Sequence, residues 1–65
     1  MSKISNLAVI EDGAKIGENV EIGAFCFVSS ESIIGDGTTM AQGACVYGKT
    51  TIGKNNKIFS HAVLG

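Results

Sequence analysis

The chain has 65 residues and a formal net charge of −1, with 45% hydrophobic residues and two cysteines. This length allows one small domain, residues 1–65, whose core is marginal without a metal, disulfides or a partner chain. The charge offers no basic patch for nucleic acid, no apolar run is long enough to cross a membrane, and two cysteines do not make a disulfide scaffold.

Along the chain, an aliphatic residue returns at every sixth position without an insertion. A short fixed period is typical of a solenoid, in which each repeat stacks on the next. A helix would need a period near 3.6 residues, so each aliphatic position predicts a short strand. In chain order these positions are Ile4, Ile10, Ile16, Ile22, Val28, Ile34, Met40, Val46, Ile52, Ile58 and Leu64.

The other positions of the repeat predict an all-β coil. The fifth position is small or short, and it lies two residues before the next aliphatic residue, so both point to the interior. The fourth is often Gly or Asn, which tolerate the positive φ of a corner. Three strands per coil give 18 residues per coil and about three and a half coils. Stacking by 18 places Asn56 in an interior column with Val20 and Thr38, where a buried amide needs partners.

The sixth position points outward, and one of its three columns is apolar. Two columns are mixed: Lys15, Ile33 and Thr51, and Glu21, Thr39 and Lys57. The third is Val9, Phe27, Cys45 and Val63, with Leu7 and Phe25 at the corner before it and with Tyr47 and Phe59 as further exposed apolar candidates. A contiguous apolar stripe marks an interface, and three triangular prisms can close around one face. We predict a trimer interface there; scattered surface apolar residues are the alternative.

The residues resemble those of a known group of enzymes. The six-residue pattern is similar to that of the hexapeptide-repeat acyltransferases. In both, an aliphatic residue is followed by Gly, two variable residues, a small residue and a sixth, variable residue. Within that group, three stretches resemble the N-terminal sequence of one family: residues 1–4 (MSKI), 8–26 (AVIEDGAKIGENVEIGAFC) and 48–65 (GKTTIGKNNKIFSHAVLG). That family transfers an acyl chain from acyl carrier protein to UDP-N-acetylglucosamine. Ala24 departs from the sequence of this family, in which proline is usual at that position.

This resemblance implies a left-handed parallel β-helix and a cytoplasmic homotrimer. It also implies the transfer of a 3-hydroxyacyl chain in the first step of lipid A biosynthesis, with a histidine as general base and no cofactor. The family's catalytic histidine lies several coils beyond residue 65, so the resemblance assigns no catalytic residue here. The segment is expected to be an inactive scaffold of that enzyme. The alternative is a structural β-helix module for self-association.

The chain offers few candidates for chemistry. His61 is the only histidine; it is a candidate substrate contact, with an exposed corner side chain as the alternative. One histidine excludes a three-histidine zinc site, and the two cysteines lack metal-ligand spacing, so we expect no metal. Cys26 is expected to be a small core residue. Cys45 is expected to lie in the interface, with a reactive thiol as the alternative.

Overall fold

The computed structural model describes residues 2–65, and every regular element in that range is a two-residue β-strand. Met1, the first residue of the MSKI stretch, lies outside the described residues. The strands are β1 Lys3–Ile4, β2 Val9–Ile10, β3 Lys15–Ile16, β4 Glu21–Ile22, β5 Phe27–Val28, β6 Ile33–Ile34, β7 Thr39–Met40, β8 Cys45–Val46, β9 Thr51–Ile52, β10 Lys57–Ile58 and β11 Val63–Leu64. Each strand ends on one of the repeated aliphatic residues, as the six-residue period predicts.

The strands form three parallel sheets, which are the three walls of a left-handed parallel β-helix. Sheet A has the order β1-β4-β7-β10, sheet B has β11-β8-β5-β2, and sheet C has β3-β6-β9. Strands of successive coils pair in register, so that Ile16 lies beside Ile34 and Ile34 beside Ile52. The predicted fold class and the 18-residue coil are therefore confirmed.

Most backbone hydrogen bonds between coils follow one rule, and four corner bonds run the other way, from the N–H groups of Phe25, Gly37, Gly43 and Asn55 to the preceding coil. The N–H of a residue in one coil donates to the carbonyl 17 positions further on, as in Val9 to Cys26 (2.8 Å) and Phe27 to Ala44 (3.1 Å). Two such bonds flank each strand from β1 to β8, at its first residue and just after its last. Because every strand pairs only with the coils above and below it, the stack is held by nearest-neighbour contacts.

The core fills the space between the three sheets with aliphatic and small side chains. Its buried members are Val20, Ile22, Cys26, Val28, Ile34, Met40, Ala44, Val46 and Ile58. Cys26 is a core residue as expected, and its thiol donates to the carbonyl of Ala41. Asn56 lies beside Thr38 in the expected inward column, and its N–H donates to the Thr38 hydroxyl at 3.4 Å. Asn56 is exposed, although it continues the column of Val20 and Thr38, because no coil within residues 2–65 covers it.

The corners use positive φ at the fourth position of the repeat. Gly13, Asn19, Gly37, Gly43 and Asn55 all adopt it, which agrees with the sequence pattern. Two larger residues adopt it too, Phe25 (φ 62°) and His61 (φ 63°), and the sequence pattern did not predict them. Gly and Asn tolerate this conformation, whereas a bulky side chain there is strained.

One corner is built differently, around two buried serines. The hydroxyls of Ser29 and Ser32 lie within hydrogen-bond distance of each other and of the Gly48 carbonyl in the next coil, and their two protons fill two of these three contacts. There the positive φ falls on Gly48 itself, at the third position of the repeat. The side-chain hydroxyls therefore satisfy a carbonyl at a corner where the chain departs from the usual turn.

Candidate functional site

The predicted interface residues lie in one outward column on sheet B. The parallel register places Val9 beside Phe27, Phe27 beside Cys45, and Cys45 beside Val63. Val9 and Val63 are exposed, at 56% and 66%, whereas Phe27 and Cys45 are half-buried. We call these four side chains the sheet B face. The structure thus brings together the residues that the sequence selected.

A second group of apolar side chains lies at the corner between sheets A and B. Leu7, Phe25 and Phe59 are 57%, 69% and 75% exposed, and we call them the corner ridge. They belong to the chain segments that turn from sheet A into sheet B, directly before β2, β5 and β11. The apolar surface therefore extends beyond the sheet B face, around one edge of the helix.

Tyr47 extends the same surface on the far side of the sheet B face. Its ring centroid lies 5.2 Å from that of Phe27, with the rings tilted by 35°. A hydrogen bond with the Cys45 side chain is the main cause that raises the pKa of Tyr47 above its ordinary value, followed by the electrostatic effect of the same thiol and by desolvation. A tyrosine phenol is neutral at pH 7 already at its ordinary pKa, so Tyr47 adds no charge to this edge of the apolar surface.

Charge is segregated around the helix. The four segments that pass from the corner ridge through sheet B contain no Asp, Glu, Lys or Arg; they are residues 5–10, 23–28, 41–46 and 59–64. All five basic and six acidic residues of the chain lie elsewhere. We call these four segments the uncharged side. An uncharged, apolar side can be covered by a partner without desolvating an ion.

His61 lies at the end of the uncharged side and is exposed. Its imidazole folds over Gly43 in the preceding coil, where an added Cβ would come within 2.8 Å of Nδ1. Within residues 2–65 the imidazole has no hydrogen-bond or charge partner, so no carboxylate orients it. Among the described residues the exposed imidazole therefore has no group that orients it.

No metal centre or membrane span is assembled in the part of the chain that the structure describes. It contains no group of three or more His, Cys, Asp or Glu side chains that could hold a metal ion. None of its elements is a helix long and apolar enough to cross a membrane. Five of the eight exposed large hydrophobic residues in the described part of the chain lie on the uncharged side: Leu7, Val9, Phe25, Phe59 and Val63.

The chain is similar to known acyltransferases along its whole length. A family model described as bacterial transferase hexapeptide (six repeats) matches residues 13–48. Acyl-[acyl-carrier-protein]–UDP-N-acetylglucosamine O-acyltransferase from Bartonella henselae is 50% identical over 98% of this chain and 23% of its own length. The protein of the same name from Campylobacter concisus is 49% identical over 100% of this chain and 25% of its own length.

A solved structure agrees with these sequence relatives. UDP-N-acetylglucosamine acyltransferase from Campylobacter jejuni superposes with a TM-score of 0.96 at 43% identity, over 97% of this chain and 25% of that chain. The chain therefore spans about a quarter of the length of the relatives that it matches.

Proposed function

The chain belongs to the hexapeptide-repeat family of bacterial transferases, and from that premise we propose that it forms the N-terminal coils of an acyltransferase. The reaction would move a 3-hydroxyacyl chain from acyl carrier protein to UDP-N-acetylglucosamine, the first step of lipid A biosynthesis. The observation that carries the proposal is the TM-score of 0.96 with 43% identity to a UDP-N-acetylglucosamine acyltransferase. Identity at that level, spread over nearly the whole chain, supports more than a shared fold.

Within that enzyme, residues 1–65 act as scaffold. The repeated positions are used for packing and corners, and the only histidine, His61, has no orienting partner within residues 2–65. The coils hold their outward surfaces in fixed register, which is what a catalytic group on a rigid element requires. In this proposal His61 is an exposed corner residue and not a general base.

A chimera tests the enzyme assignment. Residues 1–65 replace the matching N-terminal part of the Campylobacter concisus protein, and acyl transfer to UDP-N-acetylglucosamine is measured. We expect kcat/KM within about tenfold of the parent, because the coil register is preserved. The same chimera with Ile34→Ala is the matched control for a damaged coil. A folded chimera without activity would contradict the assignment.

The scaffold assignment has its own test. The 65-residue chain alone is incubated with 3-hydroxyacyl carrier protein and UDP-N-acetylglucosamine, and product is followed by mass spectrometry. We expect no product above background. Turnover that disappears in a His61→Ala variant would overturn the scaffold role and would make His61 the reactive group.

We further infer that the chain assembles as a homotrimer through the sheet B face. The aligned apolar column and its lack of charged neighbours support this. Phe27→Glu places a charge in the middle of the face and is expected to raise the concentration for half-dissociation by at least about tenfold. Ile33→Glu is the control, because Ile33 is an exposed outward residue of the same coil on sheet C. Sedimentation velocity over a range of concentrations measures the assembled mass of each variant. Equal assembled masses for the two variants would contradict the sheet B face as the interface.

Self-association also supports the second candidate, a structural β-helix module. The two candidates differ in the chimera experiment, because a module has no reason to restore acyl transfer in another enzyme. For either candidate we infer a cytoplasmic location, which suits the two free cysteines, since thiols stay reduced there.

A further inference from the structure

The corner between sheets C and A closes its turns differently from the other two corners. At those corners, the N–H of the fifth repeat position usually donates to the carbonyl three residues earlier, as in Ala8 to Ser5 (3.0 Å). Within residues 2–65, none of the three turns at the corner between sheets C and A, 17–20, 35–38 and 53–56, has that bond. The backbone groups of these turns therefore need other partners.

In two of these turns, a hydroxyl from the preceding coil takes the place of the missing bond. Ser2 Oγ donates to the carbonyl of Gly17 at 2.8 Å and accepts from the N–H of Val20 at 3.1 Å. Thr38 Oγ1 makes the same two contacts with the first and last residues of the turn at 53–56, at 2.7 and 3.4 Å. One hydroxyl thus closes the turn and ties it to the coil before it.

The turn at 35–38 has no such hydroxyl. The residue before it in the column is Val20, 18 positions after Ser2 and 18 before Thr38, and a methyl group cannot bridge a donor and an acceptor. Among residues 2–65, the N–H of Thr38 has no hydrogen-bond acceptor. Thr38 is completely buried, so this N–H is also removed from water. A buried backbone donor without a partner is rare and costs stability.

The two coils beside this turn are still held together at the same corner. The N–H of Gly37 donates to the carbonyl of Glu18 at 2.9 Å, and the N–H of Glu18 donates to Asp36 Oδ1 at 2.9 Å. The coils therefore keep their spacing here. A hydroxyl at position 20 would meet the turn at 35–38 as the Ser2 hydroxyl meets the turn at 17–20.

We propose that the fifth position of this corner is a strap site, at which a hydroxyl of one coil closes the turn of the next. The strap is closed at Ser2 and at Thr38, and it is open at Val20. Threonine differs from valine by a hydroxyl in place of one methyl group, so Val20→Thr supplies the missing bridge. The strap holds coils together and does not depend on the reaction that the whole enzyme performs.

Two valine-to-threonine variants of the 65-residue chain test the strap. A hydroxyl in place of a buried methyl group normally destabilises a core. Val28→Thr is the matched control, because Val28 is also 0% exposed but lies in a strand that is paired on both sides. We expect Val28→Thr to lower the melting temperature by at least about 4 °C, and Val20→Thr to raise it by about 4 °C. Thermal unfolding followed by circular dichroism measures both.

Amide hydrogen exchange shows where the effect arises. In Val20→Thr, the N–H of Thr38 gains an acceptor, and its exchange followed by NMR should slow by at least about tenfold relative to that of Thr39. The N–H of Thr39 is the internal reference, because it already donates to the carbonyl of Asn56 at 2.8 Å.

The two measurements decide the inference together. A higher melting temperature with slower exchange at Thr38 supports the strap. A Val20→Thr chain that unfolds at or below the wild-type temperature overturns it. A higher melting temperature without slower exchange at Thr38 also overturns it, because the gain in stability would then come from another contact.

Discussion

Residues of the same column behave differently in the middle of the stack and in its outer coils. Ile34, in the second coil, is 1% exposed, whereas Ile16 and Ile52 in the same sheet C column are half-buried. Met40 is 1% exposed and Ile4 is 43% exposed in the sheet A column. Thr38 is completely buried, and Asn56 below it is exposed.

This difference shows what burial depends on in a solenoid. The inward direction of each side chain is set by its position in the repeat. Its removal from water is most complete with a coil on both sides, because the stacked neighbours are the walls of its pocket. Ile58 in the last strand of sheet A is the exception, since it keeps only 7% exposure with one neighbouring coil. Residues of equal type should therefore differ in their contribution to stability, and three pairs of substitutions measure how large that difference is.

The largest difference is expected for an isoleucine pair. Ile34→Ala leaves a cavity enclosed by coils on both sides and should lower the free energy of unfolding by about 2–5 kcal/mol. Ile52→Ala, one coil on, should lower it by less than about half as much, because its surroundings are open to water and can relax. Urea unfolding followed by circular dichroism measures both. Equal losses in the free energy of unfolding would mean that burial does not determine how much each residue of the column contributes to stability.

A glycine pair tests close backbone approach in the same way. A Cβ at position 35 would lie 2.6 Å from the backbone of Gly53, so Gly35→Ala must push two coils apart. We expect a loss of about 1–3 kcal/mol. Gly53→Ala meets only the Asn56 side chain, at 3.4 Å, and should change stability by less than about 0.5 kcal/mol. Thermal unfolding compares the two, and a tolerated Gly35→Ala would refute the tight coil spacing.

The smallest effect is expected for a buried hydroxyl. Thr38 donates to the carbonyl of Gly53 at 2.7 Å and accepts from the N–H of Asn56 at 3.4 Å. Thr38→Val keeps the shape and removes both bonds, with an expected loss of about 1 kcal/mol. Thr50→Val removes a bond to the Tyr47 carbonyl that water can replace, so its loss should be smaller. The order of the two midpoints in urea checks this; the reverse order would contradict it.

Much of the fold could be predicted because a six-residue period determines where the strands lie and which side chains point inward. The strands, the inward columns and the sheet B face follow from which residues recur at which position, and Val9, Phe27, Cys45 and Val63 were selected correctly as one row. The sequence predicts part of the corner ridge, because it places Leu7 and Phe25 at the corner before the face and gives Phe59 only as a further exposed apolar residue. Its clearest signal in the sequence is the exception at Phe25, a large residue at a position that otherwise favours Gly or Asn.

The sequence by itself determined the period, the direction of each side chain and the side of the helix that carries no charge. These are properties of residue order, because strand alternation and 18-residue stacking translate position directly into direction. Only the tertiary structure decided that Asn56 is exposed, that Phe25 and His61 adopt positive φ, and that Ser29 and Ser32 share one carbonyl. Those outcomes depend on the neighbouring coil, and no single repeat contains that information.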